Sequence, residues 1–474
     1  MEKYSNILAV DLDGTLIKTD MFLETFWSAF SKDSLIPLKS LFLLIKGKAN
    51  LKRFLYINSS VDIKLLPYNQ VVIDFIKSHR ENGGKVALVT GSDQRIAFEI
   101  SDYLNLFDEV YGTSDNINLT GFNKAKFQKE TFGFKNFDYI GNSSEDIECW
   151  KFADKAISFN AKKALKKNCE KVNRNFLHLK NIEKANFIYY FIKEIRPYQW
   201  IKNSLVFLPL IAAQKFEPNL FFQSLLAFFS FSFVASSVYI INDLLDLESD
   251  RDHPKKCQRP FASGSLHLLY GTIGSVVLLI FGFICAFKIG LLFSIVLTIY
   301  YILTTCYSLF LKKKALFDIF LLSGLYTIRI LGGGVATNLE ISFWLLAFSI
   351  FVFLSLASVK REAELIELRE RGKISIHGRG YDLNDLDFIS SISITSGLLS
   401  SLVLALYINS PKVLNLYANP EFLWIACCLF LFWILRVCFK TQKGEMEYDP
   451  IIFALKDKVS LIIFIILMVL LIFA

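Results

Sequence analysis

The hydrophobic pattern changes character along the chain and divides it into two halves. Up to about residue 185, short apolar runs at 7–13, 85–91, 107–113 and 137–143 each end in turn residues, and helical patterns lie between them. Strands that alternate with helices predict a parallel, doubly wound sheet with its site at the carboxyl ends of the strands. We therefore predict an α/β domain over residues 1–185, with a helical cap at about 18–80.

The second half, residues 186–474, consists of long apolar runs separated by short charged loops. Nine runs of about 17 to 23 residues each come close to the roughly 20 residues that cross a bilayer. They lie at about 199–216, 219–241, 267–287, 289–311, 315–337, 341–358, 388–409, 421–439 and 457–474. This half is therefore predicted to be an all-α bundle of nine transmembrane helices.

Positive charge is distributed unequally between the loops on the two sides of this predicted bundle. The loops on the side of the N-terminal domain contain seventeen Lys and Arg residues, and those on the opposite side contain three. Because cytoplasmic loops carry the excess of positive charge, we expect a cytoplasmic N-terminal domain and a multi-pass protein of the cell (inner) membrane. The first residues also lack the features of a signal peptide.

The composition is typical of a membrane protein and limits the classes of partner that it can bind. Of 474 residues, 53% are hydrophobic and only 20% are charged, which is too apolar for one soluble domain. The net charge is +8, and in the second half the charged residues cluster in the loops between apolar runs. This placement favours lipid and phosphate partners over nucleic acid. The eight Cys form no CxxC pair and are predicted to be reduced thiols. The sequence is compatible with a monomer and with an oligomer.

Two carboxylates directly follow the first predicted strand. Asp11 and Asp13 stand two residues apart in Asp-Leu-Asp-Gly-Thr, so both point to the same side of the chain as it leaves the sheet. One carboxylate can attack phosphorus while the other protonates the leaving oxygen, and a magnesium ion relieves their repulsion from phosphate. The pattern favours phosphoryl transfer over an acidic helix cap.

Residues 5 to about 160 resemble the haloacid dehalogenase superfamily, because Asp11-Leu-Asp13 is followed by Thr90, Lys124 and Gly141-Asn-Ser-Ser-Glu-Asp146 in order. The resemblance implies a nucleophile at Asp11, a general acid/base at Asp13, phosphate binders at Thr90 and Lys124, and a magnesium site formed by Asp11, Asp13 and Asp146. Asn142 replaces an acid that normally serves the metal. The resemblance therefore leaves an active phosphatase and a degenerate accessory domain both open.

An acidic helix end follows the second predicted span. Asp243, Asp246 and Asp250 are spaced i, i+3, i+7, so continuation of the helix predicts all three on one face. Hard oxygen ligands that leave room for phosphate are typical of magnesium sites, and Asn242 can add an amide oxygen. Lys256 and Arg259 follow closely and can neutralise the remaining charge of a diphosphate.

The pattern NDxxDxxxDRxHPxKxxRP and the nine spans resemble the UbiA superfamily of intramembrane transferases, and within it the decaprenyl-phosphate phosphoribosyltransferases, over residues 190–474. The resemblance implies magnesium-dependent transfer of phosphoribosyl from phosphoribosyl diphosphate to a polyprenyl phosphate. It implies a metal site at Asn242, Asp243, Asp246 and Asp250, with Asp243 and Asp246 catalytic. Substrate contacts are expected from Lys202, Asn203, Lys256, Arg259, Tyr307, Lys312, Arg329, Lys360 and Arg361.

Two alternatives accompany this interpretation. The first is a prenyltransferase of the same fold that moves an isoprenoid from its diphosphate to an aromatic or other small acceptor, beside a degenerate N-terminal domain. The second and weaker one is a lipid-phosphate scramblase or binding scaffold. The loops at 312–318 and 359–388 contain no second DxxxD, which favours the phosphoribosyl donor. The N-terminal domain would then dephosphorylate the product.

Two further stretches have more than one interpretation. Asp318 and Arg329 lie in one apolar span only about 20° apart around the helix, so either they are structural partners or Arg329 binds phosphate. The apolar stretch 35–46 is too short to span a bilayer. It is predicted either to lean on the membrane surface or to form a buried cap helix.

Overall fold

Two compact units make up the described chain. A computed structural model describes residues 7–45, 47–114, 118–180, 186–370, 372, 380–410, 413, 417, 419–446 and 449–474. The first unit comprises Met1–Ile195 with Tyr239–Val276, and the second comprises Arg196–Val238 with Val277–Ala474. The predicted boundary at residue 185 lies outside the described residues. The acidic segment around Asp243 thus groups with the N-terminal domain.

A six-stranded parallel sheet forms the centre of the first unit. Its strands are β1 (Ile7–Val10), β2 (Lys85–Asp93), β3 (Glu109–Thr113), β4 (Phe137–Gly141), β5 (Ala156–Phe159) and β6 (Phe176–Leu179), in the order β3-β2-β1-β4-β5-β6. In register, Val10 of β1 pairs with Leu88 on one side and Ile140 on the other. The topology reverses direction at β1, which places the site at its carboxyl end. The predicted parallel, doubly wound sheet is confirmed.

Both faces of this sheet are covered, which explains the continuous apolar runs in its central strands. Leu8 and Val10 pack on one face with Ile76 and Ile100, while Ile7 and Ala9 pack on the other face. The helices that cover the sheet are α4 (Gln70–Glu81), α5 (Gln94–Leu104), α6 (Gly121–Phe132), α7 (Ile147–Phe152) and α8 (Lys163–Val172). The result is a three-layer α/β/α sandwich.

Three helices between β1 and α4 form the cap: α1 (Met21–Lys32), α2 (Ile36–Leu44) and α3 (Lys48–Asn58). Helix α1 begins where the Asp20 side chain accepts hydrogen bonds from the backbone of Phe22 and Leu23. Helix α2 buries Ile36 and Ser40, and the large apolar side chains that it and its ends leave exposed are Leu35, Leu38, Leu41, Phe42, Leu44 and Ile45. The helix is therefore not a buried core helix, and the membrane-leaning alternative remains open.

The remaining helices contain the apolar half of the sequence. They are α9 (Phe187–Ile195), α10 (Leu208–Ala212), α11 (Pro218–Leu245), α12 (Leu247–Asp252), α13 (Leu268–Ile289), α14 (Leu291–Leu309), α15 (Phe317–Thr337), α16 (Phe343–Glu370), α17 (Leu386–Ile408), α18 (Glu421–Gln442), α19 (Pro450–Lys456) and α20 (Lys458–Phe473). In the second unit, α14, α15, α16, α17 and α18 pack successively against one another, and α20 packs on α18.

Seven helices in the described part of the chain are long and apolar enough to cross a membrane, so nine spans are not confirmed. The predicted first span, 199–216, is divided between a 3-10 helix at Pro197–Phe207 and the short α10. Pro209 lies at the start of α10 and cannot donate a helical hydrogen bond to the preceding turn. The predicted last span corresponds to α20, whose sixteen residues reach only about 24 Å at 1.5 Å per residue.

At Gly333, helix α15 lies close to the backbone of Val206 in the 3-10 helix Pro197–Phe207. A methyl group built at this position would lie 2.1 Å from the carbonyl oxygen of Val206. Gly324, in the same helix, has open space around the corresponding position. Among the three glycines at 332–334, Gly333 therefore allows close packing because it has no side chain.

We expect Gly333→Ala to destabilise the protein by about 1–3 kcal/mol, because a backbone carbonyl cannot move aside as a flexible side chain can. The matched change Gly324→Ala should be neutral or stabilising by up to about 1 kcal/mol, since alanine favours the helix. Thermal unfolding in detergent measures both. Equal changes in Tm for the two variants would contradict the packing at Gly333.

Candidate functional site

The irregular turn after β1 orients the two predicted carboxylates. Gly14 has a φ of +69°, which lets the chain turn sharply between β1 and α1. Asp13 Oδ1 accepts a hydrogen bond from the backbone N–H of Met21 at 2.7 Å, and its Oδ2 accepts one from Ser92 Oγ at 2.8 Å. Asp13 is therefore fixed by the first turn of α1 and the end of β2.

Lys124 brings together two more of the predicted residues. Its ammonium lies 2.8 Å from Asp11 Oδ1 and 3.2 Å from Asp146 Oδ1, and all three side chains are buried. Thr15 donates to Asp11 Oδ2 at 3.3 Å. Thr90 is buried within the last half of β2, where its hydroxyl accepts a hydrogen bond from the backbone N–H of Ser92. The predicted set thus converges at the carboxyl ends of β1, β2 and β4.

The loop after β4 holds Asp146 and places Asn142 beside the turn. Asp146 Oδ2 accepts hydrogen bonds from the backbone of Asn142 at 3.0 Å and of Ser143 at 2.9 Å. A methyl group built on Gly14 would lie 2.1 Å from Asn142 Nδ2. The amide that replaces the usual acid therefore lies directly against the Asp11–Asp13 turn.

Burial sets the protonation of this site. It raises the pKa of Asp11 to about 7, because desolvation outweighs the attraction of Lys124. Burial and the nearby Asp20 raise the pKa of Asp13 to about 6. Burial also raises the pKa of Asp146, but the attraction of Lys124 and the hydrogen bonds from Tyr139 and the Ser143 backbone together hold it below its ordinary value. A carboxyl such as Asp13 can hold and release a proton near neutral pH.

The donor set around Asp13 fits a magnesium ion. Carboxylate oxygens are the ligands that magnesium prefers, and both hydrogen-bond donors to Asp13, the Met21 amide and the Ser92 hydroxyl, are uncharged. A cation at this position would supply positive charge that the contacts of Asp13 lack.

Three residues of this site were not predicted. Ser92 stands two positions after Thr90 in the same strand, and this spacing alone could have indicated a shared face. Tyr139 donates to Asp146 Oδ1 at 2.6 Å. Lys52, on the cap helix α3, donates to the Gly91 carbonyl at 2.6 Å and to Asn118 Oδ1 at 3.0 Å. No local pattern identifies Lys52.

Arg259 bridges two carboxylates at the acidic helix end. Its Nη1 lies 2.9 Å from Asp243 Oδ1 and 2.6 Å from Asp250 Oδ2, and both carboxylates are buried. Burial and the nearby Asp243 raise the pKa of Asp250 to about 6 even though Arg259 lowers it. Lys256 is exposed in the short turn Lys256–Gln258 of the same segment.

The predicted single helical face for Asp243, Asp246 and Asp250 is kept only in part: the helix is interrupted at Asp246, while Asp243 and Asp250 both face Arg259. Helix α11 ends at Leu245, Asp246 lies at the junction, and α12 begins at Leu247. In the described part of the chain, no three His, Cys, Asp or Glu side chains already surround a metal position. Asn242 Oδ1 is buried there without a hydrogen-bond partner, and an amide oxygen of this kind can serve as a magnesium ligand.

Asp449 brings together two of the predicted phosphate-binding lysines in the second unit. Asp449 Oδ2 forms ion pairs with Lys202 and, at 3.8 Å, with Lys360. Burial raises the pKa of Asp449, but the two ammonium groups outweigh this effect and hold it below its ordinary value. Asp449 also accepts a hydrogen bond from the backbone of Ile451 at the start of α19. It was not predicted as a site residue.

Asp318 and Arg361 form a fully buried ion pair. Arg361 Nε lies 2.6 Å from Asp318 Oδ2, Arg361 also pairs with Glu364, and Tyr307 donates to Asp318 Oδ1 at 2.8 Å. Both members of the pair are 0% exposed, whereas the Glu364 side chain is 28% exposed. Two predicted substrate contacts, Tyr307 and Arg361, thus share a carboxylate. Lys312 lies nearby in the sequence, half-buried in the turn Leu311–Lys313.

Arg329 does not pair with Asp318 and instead contacts polar side chains of other elements. Its Nε donates to Asn203 Oδ1 at 2.7 Å and its Nη2 to the Tyr300 hydroxyl at 2.9 Å. Asn203 in turn donates to Ser232. Eleven residues of helix separate Asp318 and Arg329 by about 16 Å along the axis, which explains why they do not pair despite sharing a face. Binding of phosphate by Arg329 stays a prediction.

Comparisons with known proteins agree with this architecture. The sequence model of the UbiA prenyltransferase family matches residues 204–447. The uncharacterized protein y4nM of Sinorhizobium fredii is 34% identical over 96% of this chain and 88% of its own length. Nodulation protein NoeC of Azorhizobium caulinodans is 37% identical over 56% of this chain and 87% of its own length. A decaprenyl-phosphate phosphoribosyltransferase of Mycolicibacterium smegmatis is 31% identical over 59% of this chain and 90% of its own length.

The seven long apolar helices among the described residues, together with these similarities, define a multi-pass membrane protein of the transferase class. The chain belongs to the UbiA prenyltransferase family.

Solved structures resemble each half at low identity. A UbiA homolog from Archaeoglobus fulgidus bound to GPP and Mg2+ is 13% identical, covers 60% of this chain and 97% of its own, and has a TM-score of 0.45. A phosphoserine phosphatase complex is 17% identical, covers 40% and 99%, and has a TM-score of 0.28. The family match confirms the predicted UbiA domain, and the strand order and the convergence of Asp11, Lys124 and Asp146 agree with the predicted haloacid dehalogenase-like domain.

We expect Asp318→Asn to destabilise the protein by about 3 kcal/mol, because it leaves the Arg361 charge buried beside one partly exposed carboxylate. Glu364→Gln, which removes that exposed partner, should cost about 1 kcal/mol or less. Thermal unfolding in detergent compares the two. A larger loss for Glu364→Gln would show that Asp318 is not the main counter-charge of Arg361.

Proposed function

We propose that this protein is a magnesium-dependent membrane transferase that moves phosphoribosyl from phosphoribosyl diphosphate to a polyprenyl phosphate. The observation that carries this proposal is the acidic helix end, where Asp243 and Asp250 share Arg259 beside the orphaned Asn242 oxygen. Relatives named decaprenyl-phosphate phosphoribosyltransferase are similar to part of the chain. The M. smegmatis protein matches 59% of this chain and 90% of its own length.

Each part of the acidic segment has a role in this reaction. Asn242, Asp243, Asp246 and Asp250 would hold the magnesium ion, which makes diphosphate a better leaving group when bound. Arg259 and Lys256 would bind oxygens of the diphosphate through charge-assisted hydrogen bonds. A phosphate oxygen of the lipid attacks C1 of the ribose, the bond from C1 to the diphosphate oxygen breaks, and pyrophosphate leaves.

The basic residues of the second unit are assigned to the other phosphates. Lys202, Asn203, Tyr307, Lys312, Arg329, Lys360 and Arg361 would contact the substrates. Lys202 and Lys360 already share Asp449, so their charges are held in place before substrate arrives. The excess of positive charge in one set of loops supports a cytoplasmic N-terminal domain and insertion in the cell (inner) membrane.

The N-terminal domain would remove the 5-phosphate from the transferred ribose. Asp11 would attack phosphorus and form a phosphoaspartate while Asp13 protonates the ribose oxygen that leaves. Water would then attack the phosphoaspartate, give its proton to Asp13 and release inorganic phosphate. Lys124 and Thr90 would bind the phosphate in both steps. Asp146 would complete the magnesium site, in which Asn142 contributes no charge. Fusion to the transferase raises the local concentration of this second site to roughly millimolar for a short linker.

The experiment that tests the transfer supplies purified protein and magnesium with labelled phosphoribosyl diphosphate and a polyprenyl phosphate. We expect the label to enter the lipid. A parallel reaction contains a labelled prenyl diphosphate and aromatic acceptors, because the family name favours prenyl transfer as the second candidate. Label transfer only in the parallel reaction would replace the first proposal with the second.

We predict that Asp243→Asn and Asp246→Asn each lower the rate of transfer on the order of 100-fold, because each removes charge that stabilises the metal-bound diphosphate. The matched control is Asp252→Asn, which changes an exposed carboxylate at the end of α12 and should leave the rate unchanged. Transfer rates at saturating magnesium measure the effect. Near-normal rates in both variants would argue against this metal site.

We predict that Asp11→Asn stops the protein at the 5-phosphorylated lipid while the first transfer continues, because an amide cannot attack phosphorus as a carboxylate does. Mass spectrometry of the lipid and the release of inorganic phosphate report the two steps. Asn142→Asp is the companion variant and should lower the magnesium concentration that phosphate release requires. If the wild-type protein releases no phosphate at high magnesium, the domain is an accessory one.

A further inference from the structure

Within the first unit, a buried ion pair joins the cap to the acidic segment. Arg251 Nη2 lies 2.6 Å from Glu24 Oε1, and its Nη1 lies 3.1 Å from Glu24 Oε2. The Glu24 and Arg251 side chains are only 2% and 6% exposed. The two planar groups therefore meet in a two-pronged contact, which is the most geometrically specific form of ion pair.

Two other contacts hold the same two segments together. Trp27, one turn after Glu24 in α1, donates from its indole to the hydroxyl of Thr272 at 3.3 Å. A methyl group built on Gly264 would lie 2.7 Å from the side chain of Lys18. Residues in and just before α1 thus approach Arg251, Gly264 and Thr272, all in the stretch that follows the acidic helix end.

Arg251 transmits this contact to the predicted metal ligands. It follows Asp250 directly in α12, and its Nε donates to the carbonyl of Ala262 at 3.1 Å. Asp250 is held in turn by Arg259, which also holds Asp243. If Glu24 lost its charge, the buried guanidinium of Arg251 would be drawn toward carboxylates of its own segment.

We propose that Glu24 is a positioning residue for the transferase site, which it supports by holding Arg251 and thereby fixing α12 and Asp250. This inference rests on the transfer reaction proposed above. It gives the N-terminal domain a role in transfer that is separate from any phosphatase chemistry, because Glu24 lies outside the convergence of Asp11, Lys124 and Asp146.

The test compares variants of the full-length protein in lipid nanodiscs. Glu24→Gln should raise the magnesium concentration for half-maximal transfer roughly 10–100-fold, as loss of a residue that orients metal ligands does. The KM for the lipid should stay unchanged, and Glu24→Asp, which keeps the charge, should restore most of the magnesium response. Asp33→Asn is the matched control, since Asp33 ends the same helix in an exposed ion pair with Lys39.

A second measurement does not depend on activity. Amide hydrogen exchange across Leu247–Asp252 should be faster in Glu24→Gln than in the wild-type protein and unchanged in Asp33→Asn. Wild-type magnesium dependence and exchange in Glu24→Gln would overturn the inference and leave the proposed transfer intact. If the wild-type protein transfers nothing, the proposed function is wrong, and unchanged exchange in Glu24→Gln would overturn the positioning contact as well.

Discussion

The neutralisation of buried carboxylates by a shared cation is the interaction on which both units of this protein depend. Lys124 forms ion pairs with Asp11 and Asp146, and Arg259 forms ion pairs with Asp243 and Asp250. A buried carboxylate loses its hydration, and removing its only counter-charge costs about 3–5 kcal/mol. Each of these cations therefore fixes the distance between two acids that lie far apart in the sequence or in different elements.

This arrangement has different meanings at the two sites. In the sheet domain, Lys124 is buried between Asp11 and Asp146, and under the proposed function it would stay in place when a phosphate binds. At the acidic helix end, the Arg259 side chain is 28% exposed and lies between two carboxylates proposed as metal ligands. Under the proposed function, a metal and a diphosphate replace these contacts, so binding is an exchange of partners.

The sequence predicted the elements with strong local patterns and the residues of both motifs. Asp11 and Asp146 follow β1 and β4, Thr90 lies in the last half of β2, and parallel strands bring their carboxyl ends to one edge. Lys124 reaches the same edge from the start of α6. The strands β5 and β6 were not predicted: each has four residues, as β1 does, but no motif such as the Asp11–Asp13 pair follows either of them. The break at Asp246 was also missed, since i, i+3, i+7 spacing describes a helix whether or not the helix continues.

The partners of buried charges could not be read from local patterns. Lys202 and Asp449 are 247 positions apart, and Glu24 and Arg251 are 227 apart. Only the packing of complete helices decides which of several possible acids each cation meets. For the same reason, the sequence suggested Asp318 and Arg329 as a pair, whereas axial distance along α15 leaves Asp318 to Arg361.

The discontinuous composition of the first unit has a consequence for how the protein is made. Its second segment, Tyr239–Val276, follows Ile195 only after Arg196–Val238, which belongs to the second unit. At about 5–20 residues per second, a ribosome needs roughly 2–9 seconds to add these residues. Until Arg251 has been made, Glu24 cannot form its ion pair, and α11 is synthesised before Arg251. The domain that is synthesised first can therefore complete its folding only after the first long membrane helix has been made.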